Sequence, residues 1–122
     1  MKIKVIKDDF SVCKVKDYSQ VDLNTEFCFI AKTDEENSLV CRTDNVPNNV
    51  TEREDGWRAF RIQGVLDFSL IGILSRISGL LAEHEIGIFA ISTFNTDYIL
   101  TKEENYLKAI KVLDEAGYRI EE

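Results

Sequence analysis

A nucleophile–base pair in this 122-residue sequence would have to be built around His84, its one histidine. That residue stands in Ala82-Glu83-His84-Glu85-Ile86, at the end of a helical pattern, where the helix dipole favours a solvated cation over a catalytic base. The cysteines, Cys13, Cys28 and Cys41, are odd in number and widely spaced, with no Cys-x-x-Cys, which gives neither a disulfide framework nor a zinc site. They read as reduced thiols in or near strands, and Cys28, between Phe27 and Phe29, behaves as a small hydrophobe. The acidic run Asp34-Glu35-Glu36-Asn37 lacks the spaced oxygen ligands of a calcium loop and reads as a solvated turn. Nucleophile elbow, P-loop and dinucleotide glycine fingerprint are all missing. The other carboxylates cluster in turns without a pattern for paired acid–base work. The expectation is a protein that is not an enzyme, with no catalytic residue, metal or cofactor.

Charge narrows the partners. Acidic residues number 22 against 15 basic ones, a net charge of −7. Such a field repels phosphate backbones and anionic lipid, so neither nucleic acid nor a membrane surface is an expected partner. It leaves a small zwitterion open, because that depends on local groups. No stretch approaches the roughly 18 apolar residues of a membrane span. The N-terminus Met1-Lys2-Ile3-Lys4-Val5-Ile6-Lys7 alternates with period two, which predicts a strand and not a leader. The expected location is the cytoplasm.

With 44% hydrophobic and 30% charged residues, the chain suits one domain, or one domain with an appended half. The polar run 48–56 reads as an exposed connection that divides it into residues 1–56 and 57–122. In the first part a hairpin is expected with its turn at Asp8-Asp9 and its second strand over Val12–Val15. Phe27–Ala31, apolar on both faces, reads as a central strand paired with Ser38–Arg42. In the second part a strand over Trp57–Ile62 precedes a helix expected to start near Ser69. Leu70, Ile71, Ile73, Leu74, Ile77, Leu80 and Leu81 give that helix its apolar face. A strand over Ile88–Phe94 turns at Asn95-Thr96 into Asp97–Leu100. Thr101 and Glu104 match a capping box for a second helix that buries Tyr106, Ala109, Ile110 and Leu113. Gly117 stops this helix before a last strand at Tyr118–Ile120. The order βαββαβ predicts an α+β fold, a ferredoxin-like sandwich with a four-stranded antiparallel sheet and two helices on one face.

Such a sheet used for RNA would carry basic residues and stacked aromatics, and a metal carrier would carry Cys-x-x-Cys in its first loop. Asp97–Thr101 and Val65–Ser69 satisfy neither. The stretch Gly64-Val65-Leu66-Asp67-Phe68-Ser69-Leu70-Ile71-Gly72-Ile73-Leu74 instead resembles the first strand-to-helix turn of ACT domains. Ile88 to Leu100, with Ser92-Thr93-Phe94-Asn95-Thr96-Asp97, resembles a bacterial subfamily of small ACT-domain proteins, itself similar to the tandem-ACT arginine sensors of animal cells, the CASTOR proteins. Phe29 to Cys41 is similar to the N-terminal part of that subfamily, so the resemblance covers nearly the whole chain. Residues 1–56 lack an evident first long helix and read as a degenerate, strand-rich ACT-like half beside an ACT domain over 57–122.

The resemblance implies a regulatory module that binds a free amino acid at an interface between two ACT units. It also implies a homodimer, an allosteric sensor whose state a downstream protein could read. The implied ligand-binding residues are Asp67, Phe68, Ser69, Ile71 and Gly72 around the helix start, Thr93, Phe94, Thr96 and Asp97 at the later turn, and Ser38, Leu39 and Val40 in the first part. Backbone N–H groups at the helix start would receive an α-carboxylate, and Asp67 or Asp97 would pair with an α-ammonium. Each also has a plainer role: Asp67 as a cap, Gly72 easing helix packing, Asp97 bracing a turn, Ser38–Val40 as strand. The alternative is a ligand-free interaction module that keeps the ACT pairing surface, a reading to which Leu66, Phe68 and Ile71 lend weight.

Overall fold

The computed structural model describes residues 1–63 and 72–122. Contacts divide them into two compact units, one of Met1–Lys7 with Arg58–Glu122 and one of Asp8–Trp57. Two long strands contribute a half to each, β1 (Lys2–Val15) and β4 (Val50–Gln63).

Neither strand matches its expectation. No turn forms at Asp8-Asp9, and β1 is continuous. It lies along β4 on one edge, and on the other its start pairs with Arg119–Glu121 and Phe10–Lys14 pair with Ser38–Arg42, so ladders on either side of Asp8-Asp9 hold the strand extended. Likewise, most of the run read as an exposed connection is strand. The side chains of Thr51–Asp55 are exposed, as their polarity requires, while the backbone over Val50–Gly56 extends β4.

In the helical unit, β4 is followed by α1 (Ile73–Glu83), β5 (Phe89–Ser92), β6 (Asp97–Lys102), α2 (Glu103–Glu115) and β7 (Arg119–Glu121). This is the expected βαββαβ order, with one addition. The first half of β1 inserts between β4 and β7, pairing Lys2, Ile3 and Lys4 in parallel with Arg119, Ile120 and Glu121. The strand order is therefore β7–β1–β4–β6–β5, not a four-stranded sheet. Ile3, Phe60, Ile62 and Ile99 from the sheet pack with Ile73, Ile77 and Leu81 of α1 and Tyr106, Ala109, Val112 and Leu113 of α2. Burial recurs every fourth residue in α1, the stripe that a 3.6-residue period lays against a sheet.

Both helix starts differ from expectation. Gly72, left-handed at φ 83°, is the N-cap of α1, so the helix begins at Ile73 and not near Ser69. The capping box at Thr101 does not form. β6 runs on to Lys102, and strand alternation turns Thr101 inward beside Ile99, where it is fully buried. The first turn of α2 instead carries Glu103 and Glu104, which complement its dipole. At the far end Gly117 (φ 99°) stops the helix as expected. Its N–H donates to Asp114 and that of Tyr118 to Leu113, a Schellman motif.

The all-β unit contains β2 (Phe29–Lys32) and β3 (Asn37–Arg42), in the order β2–β3–β1–β4. Phe29–Lys32 is thus an edge strand and not a central one, with Ile30 and Ala31 exposed. A loop over 16–28 and a 3₁₀ turn at Thr43–Asn45 stand where a βαββαβ unit has its helices. The core is correspondingly small: Cys13, Val15, Leu39 and Cys41, with Tyr18, Val21, Cys28, Val46 and Val50 packed against them. Polar bonds hold the loop. The Tyr18 hydroxyl donates to Ser38 O (2.9 Å), Asn37 Nδ2 to Lys16 O (3.0 Å) and Asn49 Nδ2 to Asp17 O (3.1 Å).

Candidate functional site

One of the expected site segments is tied to the end of β4. The β5–β6 turn reaches it because Thr96 Oγ1 donates to Ile62 O (2.6 Å), one residue before β4 ends. α1, with Gly72 as its N-cap, starts beyond residues 64–71. Asp67, Phe68, Ser69 and Ile71 fall in that stretch and lie outside the described residues.

Gly72 is left-handed, a conformation that a Cβ would strain, although nothing lies within 4 Å of where one would be placed. It offers no side chain to cap α1, and its carbonyl accepts the first helical bond, from Arg76 N (2.9 Å). The N–H groups at the positive end of the helix are therefore those of Ile73–Ser75, shifted from the 69–72 window in which the sequence placed them.

The turn between β5 and β6 is built by threonine. Thr93 N and Thr93 Oγ1 both donate to Thr96 O (2.9 and 2.8 Å), while Thr96 N donates back to Thr93 Oγ1 (3.3 Å). This fixes Phe94 at the tip, 87% exposed. Asp97 opens β6, opposite Ser92, whose hydroxyl donates to Oδ1 of the carboxylate. Asp97 thus braces the hairpin through one oxygen. Thr93 and Thr96 are likewise committed to the turn, and Phe94 projects from it.

Ser38, Leu39 and Val40 belong to β3 of the other unit. Leu39 and Val40 are buried, Leu39 within the thiol-lined core, and the carbonyl of Ser38 holds Tyr18. Their surroundings reveal a relation that neither half shows alone. Sixty positions on, Phe29 to Arg42 recurs as Phe89 to Lys102: two strands of equal length, a four-residue turn, and the same burial sequence along β3 and β6. Thr33 repeats Thr93. Its N–H donates to Glu36 O (3.0 Å), and Glu36 N donates to Thr33 Oγ1 (3.2 Å).

A cation near the turn escaped the sequence reading. Arg61 of β4 donates through Nη1 to the Tyr98 hydroxyl (3.3 Å) and through Nε to Gln63 Oε1 (2.9 Å). By alternation both Arg61 and Tyr98 stand on the sheet face opposite Ile62 and Ile99. Period-two alternation through Phe60 and Ile62 was the signal that could have placed Arg61 there. Among the described residues no group of histidine, cysteine or carboxylate side chains could hold a metal ion. No helix among them is long and apolar enough to cross a membrane.

Known proteins place this geometry. Over 58 residues, 47% of the chain, it is 43% identical to the human protein named cytosolic arginine sensor for mTORC1 subunit 1, and the match takes in 18% of that protein's length. A crystal structure of an Agobacterium tumefaciens protein superposes with a TM-score of 0.86 at 29% identity, covering 98% of this chain and 91% of that one. The ligand-free regulatory subunit of aspartate kinase from Thermus thermophilus shares the fold, with a TM-score of 0.66 at 9% identity over 96% of this chain and 97% of its own. The ACT domain family model matches residues 52–115, from the exposed stretch of β4 to the last turn of α2. That span is more than half of the sequence and holds the hairpin and the glycine-capped helix described above, and on it the chain belongs to the ACT domain family.

Proposed function

We propose that this chain is an amino-acid-binding regulatory module, not an enzyme, that takes its ligand at an interface between ACT units. The reading adds a cytoplasmic homodimer whose ligand state is passed to a downstream protein. The observation that carries it is the start of α1: a left-handed glycine with no side-chain cap, leaving the N–H groups of Ile73–Ser75 at the helix's positive end. An α-carboxylate satisfies such groups, and Gly72 keeps the approach open. Asp97 has a second carboxylate oxygen for an α-ammonium, and Asp67 is the other candidate for that role. Phe94, Thr93 and Thr96 would border the ligand, with Phe68, Ser69 and Ile71 completing the rim. Ser38, Leu39 and Val40 would support the equivalent edge of the second hairpin through their backbone. Arginine is the first ligand to try, because the human relative is named an arginine sensor and a net charge of −7 suits a cation.

The experiment is a thermal-melt series with the twenty amino acids at millimolar concentration. At about 100 times its dissociation constant a ligand adds roughly 2.7 kcal/mol, a shift of several degrees. The expected result is a shift with one or two amino acids that Asp97→Ala and Gly72→Val abolish, each variant compared with its own ligand-free midpoint. A second reading, a ligand-free interaction module, is favoured by Phe94, whose ring is almost fully exposed at the hairpin tip. No shift with any amino acid, together with a dimer that Phe94→Ser dissociates in sedimentation, would select it.

A further inference from the structure

All three cysteines of the chain gather in the core of the all-β unit: Cys13 and Cys41 are buried, and Cys28, half-buried, packs against them. Strand register decides which pair can join. β2 pairs with β3 as Phe29↔Val40, Ile30↔Leu39, Ala31↔Ser38 and Lys32↔Asn37. Continued one step beyond the start of β2, this register would bring Cys28 opposite Cys41, in line with Cys28 packing against the core that holds Cys41. The bond from Thr33 N to Glu36 O makes Thr33↔Glu36 a hydrogen-bonded pair. Hydrogen-bonded and non-hydrogen-bonded pairs alternate along an antiparallel ladder, so Cys28↔Cys41 is non-hydrogen-bonded, with an expected Cα separation of about 4.5 Å. Disulfides need roughly 4.4–6.8 Å. Cys13 is placed differently. It faces Leu39, while Ser11 faces Cys41, so Cys13 is only a diagonal neighbour of Cys41, at about 7–8 Å.

We propose that Cys28 and Cys41 are a reversible thiol-modification site, forming a cross-strand disulfide by exchange with a low-molecular-weight disulfide such as glutathione disulfide. Cys28, the more exposed, begins the exchange. Its thiol loses a proton and its sulfur attacks one sulfur of glutathione disulfide, and one glutathione leaves as thiolate and takes up the proton. Cys41 then loses its proton, attacks the Cys28 sulfur of the mixed disulfide and expels the second glutathione. Two protein thiols are oxidised and one disulfide is reduced to two thiols. Burial raises the pKa of both cysteines, Cys41 to about 12, so the exchange is slow near neutrality and accelerates as pH rises. The bond ties the end of the 16–28 loop and the edge strand β2 to β3. The helical unit has Ile88 and Thr101 at the matching positions and no such link.

The test is to incubate the folded full chain with glutathione disulfide at pH 8.5, count free thiols after denaturation, and map tryptic peptides without reduction. The three cysteines fall in separate peptides, spanning 8–14, 17–32 and 33–42. The expected result is a fall from three free thiols to one, a 17–32 peptide joined to 33–42, reversal by dithiothreitol, and a midpoint raised by several degrees. Cys13→Ser should leave the link intact, and Cys28→Ser should abolish it while the protein keeps its circular dichroism. Three thiols persisting, glutathione stopping at Cys28 as a mixed disulfide, or a link through the 8–14 peptide would each overturn the proposal.

Discussion

The chain builds one hairpin twice, once under two helices and once beside a loop. Phe89–Lys102 and Phe29–Arg42 agree in strand length and turn bonding, and their second strands in burial, yet the cores they face differ in size and chemistry. Ile99 and Leu39 occupy the same place in the two hairpins, each almost completely buried. Ile99 meets a wide apolar cluster contributed by the sheet and both helices, whereas Leu39 sits among thiols, valines and a tyrosine that also bonds to the backbone. Thus the hairpin is specified locally, by its alternation and threonine turn. What covers it is free to change.

The largest expected effect tests that difference in cover. Ile99→Ala should cost about 4 kcal/mol and Leu39→Ala about 2.5 kcal/mol in denaturant unfolding, since two rigid helices cannot collapse into a cavity as a loop can. Equal costs would mean that the loop over 16–28 packs as firmly as the helices do.

Alkaline titration separates the units by chemistry. Burial pushes the Cys41 thiol from 9.0 to about 12, and pushes the Tyr106 phenol, whose hydroxyl donates to Ala59 O, from 10.0 to about 12. Both groups are neutral acids held protonated by the fold. Their stabilisation is complete below the unfolded pKa, and it disappears as pH rises toward 12, because the unfolded chain sheds the proton first. Stability should therefore begin to fall near pH 9 and fall faster above pH 10, with a loss on the order of 3 kcal/mol for each group. Replacing all three cysteines with alanine should move the onset to pH 10, and Tyr106→Phe should flatten the later part. A profile unchanged by both sets would show that these burials do not set it.

Much of this was legible in the sequence, and the failures share one cause. Hydrophobic period gave α1, α2 and the β5–β6 hairpin, because Ile73, Ile77 and Leu81, or Tyr106, Ala109 and Leu113, are sorted by a face that each element buries on its own. It failed at Asp8-Asp9 and along 50–56, where the side chains are polar and the strand is held by backbone partners far away in sequence. It misjudged Phe27–Ala31 for a related reason, since apolar residues on both faces of an edge strand mimic a central one. Of the expected site, the hairpin turn and Gly72 took shape as elements. For Arg61 the alternation of Phe60 and Ile62 carried its face but not its partner, since nothing in the order of residues announces the bond to Tyr98.

Thr101 and Cys41, equivalent in the two hairpins, supply a smaller and signed test. The Thr101 hydroxyl is fully buried and finds no hydrogen-bond partner among the described residues. Thr101→Val keeps the shape and removes that burden, so it should stabilise by about 1–2 kcal/mol. Cys41→Thr brings the same hydroxyl to the thiol core and should lose a similar amount. If Thr101→Val destabilises, the hydroxyl is doing something the hairpin needs.

The smallest effects come from the two non-glycine residues in the left-handed region, one just before each hairpin: Glu85 at φ 60° and Phe27 at φ 57°. Glu85 closes α1 with a Schellman motif, its N–H donating to Ala82 O (2.9 Å) and that of Ile86 to Leu81 O (3.0 Å), and its side chain is exposed. Glu85→Gly relieves the backbone and loses no packing, so the melting midpoint should rise by an amount worth about 1 kcal/mol. Phe27 bears the same strain, but its ring meets Phe10 edge-on with centroids 6.0 Å apart. Phe27→Gly gains the same relief and loses that contact with its buried area, for a net loss of about 1 kcal/mol. The two substitutions should therefore move the midpoint in opposite directions. If Phe27→Gly also stabilises, the aromatic contact contributes nothing and the small core ends at its cysteines and aliphatic side chains; if Glu85→Gly destabilises, the glutamate side chain holds the end of α1 by more than its backbone.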